Sequence, residues 1–127
     1  MQPRSSRWLS LLSARSRHPL RGGNLGIDTV WVNEKHEKIQ AIFDPLGCLT
    51  SLAIDQSIAL PPICMRFIDP WGVTVFNQRQ IPFLLIELAE VRSSSTDAEL
   101  SGHLEKVIRL AQQAVHSNHT YLKFLGD

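Results

Sequence analysis

The chain has 127 residues, of which 43% are hydrophobic and 20% are charged, and its formal net charge is +1. These values are typical of a single globular domain and exclude a disordered or collagen-like chain. No apolar run approaches the roughly 18 residues that a membrane-spanning helix needs. The two cysteines are too few for a disulfide scaffold.

Charge is distributed unevenly along the chain. Residues 1–27 contain five arginines and no acidic residue, whereas acidic residues outnumber basic ones in the remainder. Because Gly22-Gly23-Asn24 favours turn or flexible backbone, we predict a basic, Arg/Ser-rich arm over 1–26 and one domain over 27–127. The arm could be an organellar transit peptide, a contact with nucleic acid or an anionic membrane, or a disordered tail or start-site extension.

Alternating and β-branched segments predict strands over 29–32, 39–43, 48–54, 63–68 and 73–76. Two turns with the same chemistry lie between these strands. Asp44-Pro45-Leu46-Gly47 follows the strand over 39–43, and Asp69-Pro70-Trp71-Gly72 follows the strand over 63–68. In each turn Asp can accept a backbone hydrogen bond, Pro presets φ, and Gly closes the turn. The sequence therefore predicts two β-hairpins in one antiparallel sheet, with Gly47 and Gly72 in equivalent places.

The hydrophobic period then changes from two to 3.6, which predicts two helices. Apolar residues of the first helix recur at helical spacing, at Ile81, Leu84, Leu85, Leu88 and Val91. A second apolar face extends from Leu100 to about Val115, and the segment 121–125 alternates as a final short strand. We therefore predict an α+β domain, in which a C-terminal αα-hairpin packs on one face of the sheet.

The residue types of catalysis do not form a recognisable motif. Asp44 and Asp69 could form a carboxylate pair, but both are explained as the first residues of turns. Cys48 and Cys64 have apolar neighbours and are predicted to be buried free thiols. The five histidines do not gather at a spacing that supplies three or four metal ligands. We therefore predict no catalytic residue, no metal site and no cofactor.

The most informative segment for binding is 69–80. Trp71 occupies a turn tip, where a large aromatic residue is not a turn former, and Asn77 and Arg79 lie at the following strand-to-helix junction. Trp and Arg are favoured anchors of interfaces. We therefore predict that Trp71 is at least partly exposed and belongs to a contact surface, with Arg66 and Tyr121 as further polar candidates. In the alternative interpretation, Trp71 folds back onto the sheet and Asn77 caps the helix.

The stretch from Phe67 to Asn77, Phe-Ile-Asp-Pro-Trp-Gly-Val-Thr-Val-Phe-Asn, is followed by the helix from Ile81. Together they resemble a family of small uncharacterised bacterial proteins, which carry an acidic residue at the position of Val73. The resemblance covers roughly residues 65–127. It implies a bacterial origin, and it implies no activity because none is known for the family.

These features favour a small, non-enzymatic interaction module, such as an immunity- or antitoxin-like protein. A protein partner or self-association is expected, and nucleic acid only through the Arg-rich arm, because the body lacks a basic stripe. The alternative is a small ligand-binding protein or enzyme with a pocket between sheet and helices. Since no secretory signal or membrane span is recognised, we expect a cytoplasmic protein.

Overall fold

The computed structural model of the chain describes residues 26–55 and 60–126. Of the predicted basic arm, only Gly26 belongs to these ranges. The elements in chain order are strands β1 (Asp28–Asn33) and β2 (Lys38–Ile42), helix α1 (Cys48–Ile54), a 3-10 helix (Met65–Phe67), strand β3 (Val73–Asn77), helices α2 (Ile81–Ser94) and α3 (Ala98–Val115), and strand β4 (Thr120–Leu125).

The four strands form one antiparallel sheet in the order β2-β1-β4-β3. The C-terminal strand β4 is central, because it pairs with β1 from Asp28↔Leu125 onwards and with β3 from Val73↔Leu125 onwards. Its side chains alternate, and Leu122 and Phe124 are fully buried in the core. The predicted α+β class, antiparallel sheet and final strand are confirmed.

Helices α2 and α3 pack together as the predicted αα-hairpin and cover one face of the sheet. The apolar stripe of α2 is buried at Ile81, Leu84, Leu88 and Val91, and α3 buries its own stripe from Leu100 to Ala114. Asp97 begins α3, since its side chain accepts from two first-turn N–H groups. None of the helices within the described ranges is both long and apolar enough to cross a membrane.

The prediction that 48–54 forms a strand is wrong, because this segment is helix α1. The Asp44–Gly47 turn does form, with the Gly47 N–H donating to the Asp44 carbonyl at 3.1 Å. The Asp44 carboxylate then accepts from the N–H groups of Cys48 at 2.7 Å and Leu49 at 2.9 Å. These groups would otherwise be unpaired in the first helical turn, so the side chain favours a helix over a returning strand.

The predicted strand over 63–68 is also wrong, because this segment is a turn followed by the 3-10 helix. The Glu87 side chain accepts from the N–H groups of Ile63, Cys64 and Met65 at 2.7–2.9 Å. Donors held by a carboxylate cannot pair with a neighbouring strand. The second Asp-Pro-x-Gly turn therefore joins the 3-10 helix to β3, and the sheet is not built from two Asp-Pro-x-Gly hairpins.

The two turn glycines differ in backbone conformation, which contradicts their predicted equivalence. Gly47 has a φ of 68°, whereas Gly72 is not among the positive-φ residues. A Cβ on Gly72 would lie 2.8 Å from Asp69 Oδ2, the end of an exposed side chain that can move. We expect Gly47→Val to lower the free energy of unfolding by about 2–3 kcal/mol, because a β-branched residue resists positive φ.

The matched Gly72→Val variant should lower the free energy of unfolding by less than about 1 kcal/mol. Urea unfolding followed by tryptophan fluorescence measures both changes. Equal costs for the two variants would contradict this difference in backbone conformation.

Candidate functional site

Four of the five predicted binding residues lie on or near β3, and the fifth lies on the neighbouring strand. Trp71 is at the turn before β3 and 64% exposed, which confirms its predicted exposure. Arg66 is exposed in the 3-10 helix, while Asn77 ends β3 and Arg79 follows it. Tyr121 pairs with Asn77 across the sheet. These residues are therefore spread over the 3-10 helix, the two ends of β3 and the neighbouring strand β4.

The polar candidates have local partners. The Asn77 side chain accepts from the N–H groups of Arg79 at 2.9 Å and Gln80 at 3.0 Å, which shapes the turn into α2. The Tyr121 ring stacks on the His36 ring with the centroids 5.4 Å apart. Asn77 thus organises the junction before α2, although its side chain does not provide the N-cap, which is at Gln80.

Seven of the ten large apolar side chains that are exposed among the described residues lie between Ile63 and Ile86 in the sequence. We define the 63–86 surface by the residues that share this property: Ile63, Phe67, Trp71, Val73, Val75, Phe83 and Ile86. Each is at least 40% exposed. Extended exposed apolar areas are uncommon in monomeric proteins and mark contact sites.

Hydrogen bonds connect the parts of the 63–86 surface. The Glu87 carboxylate on α2 accepts from the Ile63 N–H, which places Ile63 beside the helix that carries Phe83 and Ile86. The Thr74 hydroxyl on β3 donates to the Phe67 carbonyl at 3.5 Å and accepts from the Asp69 N–H at 2.9 Å. The segment between Ile63 and Asp69 therefore links the outer side of α2 to β3.

A separate cleft of about 230 Å³ lies between α3 and the loop after β2. Apolar and polar side chains from the loop, the start of α1 and α3 share its wall, including Phe43, Leu46, Cys48, Glu99, His103 and Lys106. None of the five predicted binding residues lines it. The cleft lies between a loop and α3, whereas the alternative hypothesis places a pocket between the sheet and the helices.

Asp44 is the most highly connected side chain of this cleft, and it is 2% exposed. Besides the two α1 donors, it accepts from the Ile27 N–H at 3.1 Å. Its own backbone N–H donates to the Asp28 carboxylate at 3.0 Å. Asp44 therefore joins β1, β2 and α1 at one corner of the domain, and its carboxylate has a structural role here.

His103 lies on the buried face of α3 and faces Asp44. Its Nε2 atom is 3.9 Å from Asp44 Oδ1 and has no hydrogen-bond partner among the described residues. Burial lowers the pKa of His103, and the nearby Asp44 carboxylate opposes this effect. The neutral imidazole is thus favoured by desolvation, and the geometry leaves one buried polar atom of the cleft unsatisfied.

Cys48, His103 and Asp44 are residue types of nucleophilic catalysis, but their arrangement opposes thiolate formation. Burial raises the pKa of the Cys48 thiol to about 12, and the Asp44, Asp97 and Glu99 carboxylates add to the increase. Cys48 therefore remains protonated at neutral pH. In the described ranges, no three His, Cys, Asp or Glu side chains lie close enough together to hold a metal ion.

Cys48 and Cys64 are buried and free, as predicted, although neither lies in a strand. The structural roles of Asp44 and Glu87 and the buried position of His103 were not predicted from the sequence. A detectable signal existed for two of them, because Glu87 and His103 fall at helical spacing within the apolar stripes of α2 and α3. A polar residue on a buried stripe needs a partner, and Glu87 finds three backbone donors.

Comparison of the chain with protein-family models, with curated proteins and with solved structures gives no match.

Proposed function

We propose that the protein is a small, non-enzymatic interaction module that binds another protein through the 63–86 surface. The observation that carries this proposal is the concentration of exposed large apolar side chains on β3, α2 and the segment between them. An immunity- or antitoxin-like role, a cytoplasmic location and a bacterial origin remain predictions. The free thiols of Cys48 and Cys64 favour a reducing compartment.

The chemistry of this surface fits a protein partner. Trp71 offers a large aromatic side chain, and the Arg66 guanidinium lies 5.4 Å from the centroid of the exposed Phe67 ring. Apolar centres with charged margins are typical of protein interfaces. The Cys48 thiol, by contrast, is held in its unreactive form, which favours binding over nucleophilic catalysis at the cleft.

Trp71→Ala tests this proposal because it removes an exposed anchor without opening a cavity in the core. We expect the free energy of unfolding to change by less than about 1 kcal/mol. We also expect a substantial loss of association. The immobilised Trp71→Ala variant should no longer retain the proteins that the immobilised wild-type chain binds. Retained proteins should slow hydrogen exchange of residues 63–86 in the wild-type chain.

Phe43→Ala is the matched control, because Phe43 is 65% exposed but lies outside the 63–86 surface. It should retain the same partners as the wild type. Equal binding by both variants and the wild type would overturn the proposal. A loss of several kcal/mol in Trp71→Ala would place Trp71 in a stabilising contact instead.

A small ligand in the cleft is a second candidate function, and a specific observation favours it. His103 combines burial with an unsatisfied Nε2 atom beside a cavity of about 230 Å³. NMR chemical-shift mapping separates the two candidates. A bound protein should shift signals of residues 63–86, whereas a small ligand in the cleft should shift those of Leu46 and Lys106.

A further inference from the structure

The free edge of β3 has a regular pattern of backbone groups. The Gly126 N–H donates to the Gly72 carbonyl at 2.7 Å, which identifies Gly72 and Gly126 as a hydrogen-bonded pair. Bonded and non-bonded pairs alternate in an antiparallel ladder, so Thr74 and Phe76 point their backbone groups towards β4. Val73 and Val75 therefore point their N–H and C=O groups away from the sheet.

The edge ends at Asn77, whose backbone groups are already satisfied. Its N–H donates to the Gln80 side-chain oxygen at 2.8 Å, and its carbonyl accepts from the Gln80 N–H at 3.0 Å. Within the described ranges, the outward groups of Val73 and Val75 have no such partner. The unpaired edge is thus a short segment centred on Thr74.

The two edges of the sheet are protected differently. Strand β2 carries Lys38, and its register with β1 shifts between Trp31 and Val32. Charges and register irregularities are devices that keep edge strands from pairing with other chains. Strand β3 has no charged residue and no register shift, so it lacks both of these devices.

Charge is arranged in opposite senses at the two ends of β3. The exposed Asp69 precedes the strand and the exposed Arg79 follows it, each five residues from Thr74 along the chain. If two copies of the strand run antiparallel about Thr74, the acidic end of each lies beside the basic end of the other. A two-fold axis at Thr74 therefore makes both the backbone groups and the charges self-complementary.

We infer that the occupant of the β3 edge is a second copy of this chain, which joins the two sheets into one continuous antiparallel sheet. This inference rests on the proposed function, because it names the partner of part of the 63–86 surface. Val73 of each copy lies opposite the partner's Val75, and all outward backbone groups of both residues are paired. The four valines then lie together on one face of the joined sheet.

Sedimentation of the full chain over a series from low to high micromolar concentration tests this inference. We expect a reversible monomer–dimer equilibrium in the wild type. Val75→Pro removes an outward N–H that has no partner in the monomer, so it should leave the sheet intact and abolish the dimer. Val75→Thr keeps the N–H and the β-branched shape and should dimerise like the wild type.

A charge exchange provides a second readout that does not depend on how the proline variant folds. Arg79→Glu places acidic residues at both ends of the strand and should weaken the dimer at least several-fold. The double variant Asp69→Arg, Arg79→Asp should restore it, and high salt should reduce the difference. Restoration by exchange would not result from a purely structural effect on the monomer.

Two outcomes would overturn the second-copy inference. One is a wild-type chain that stays monomeric across the whole series, and the other is a Val75→Pro variant that folds and still dimerises. If the chain is monomeric but Trp71→Ala loses a different bound protein, the proposed function stands and only this inference fails. If the chain dimerises through β3 and Trp71→Ala loses no other partner, the interface is exclusively between copies.

Discussion

Asp44→Ala is expected to lower the free energy of unfolding by about 3–5 kcal/mol, which is more than we expect for any other substitution. The substitution removes the acceptor of three backbone N–H groups, those of Ile27, Cys48 and Leu49. Each buried donor left without a partner costs about 1–3 kcal/mol. Asp44→Asn should cost less, because the amide oxygen can still accept some of these bonds. Urea unfolding followed by circular dichroism measures both variants.

Asp69→Ala is the matched control, since Asp69 begins the second turn of the same Asp-Pro-x-Gly type. Asp69 is exposed, and within residues 26–55 and 60–126 its side chain accepts only from the Trp71 N–H, at 2.8 Å. We expect a cost of about 1 kcal/mol or less, because water can replace an exposed acceptor. Similar costs at Asp44 and Asp69 would show that the turn motif, and not burial, determines the contribution.

Glu87→Ala is expected to lower the free energy of unfolding by about 3 kcal/mol, with a local signature. The 4% exposed Glu87 side chain accepts from the N–H groups of Ile63, Cys64 and Met65. Its removal leaves three donors near the core without a partner. Hydrogen exchange should accelerate most at residues 63–65, because this turn has lost the group that organises it.

Glu90→Ala on the same helix is the control for changes in charge and helix propensity. Glu90 is exposed, so its replacement should change the free energy of unfolding by less than about 0.5 kcal/mol. Glu87→Gln tests the role of charge, because it keeps one acceptor oxygen and the side-chain shape. If Glu87→Ala were as mild as Glu90→Ala, the segment 63–67 would be held by packing alone.

The same residues also connect stability with the proposed interface. Glu87 holds Ile63 beside α2, and the Thr74 hydroxyl holds the segment from Phe67 to Asp69 beside β3. The 63–86 surface is therefore preorganised by one partly buried hydrogen bond from Ile63 to Glu87 and by two exposed hydrogen bonds to the Thr74 hydroxyl. Preorganisation lowers the entropic cost of binding, so a partner need not order this segment on contact.

Local sequence patterns determined much of the fold. The 3.6-residue period identified α2 and α3, because one face of each helix must be apolar to pack against the sheet. Strand-favouring composition identified β1, β2 and β3, alternation identified β4, and turn chemistry identified both Asp-Pro-x-Gly turns. The exposure of Trp71 also followed locally, since a turn tip points away from the strands that supply the core.

Only the tertiary structure decided which elements flank those turns. It also decided which backbone N–H groups donate to the buried carboxylates of Asp44 and Glu87. The segment 48–54 is compatible with strand or helix by composition, and the Asp44 side chain favours the helix by capping its first turn. Residues 63–67 form no strand because Glu87, more than twenty residues later in the chain, takes their donors. Hydrogen bonds between distant residues leave no periodic trace in a sequence, whereas burial of an apolar face does. The helices and strands of regular period could therefore be predicted from the sequence. The cleft between α3 and the loop after β2, and the free edge of β3, could be recognised only from the tertiary structure.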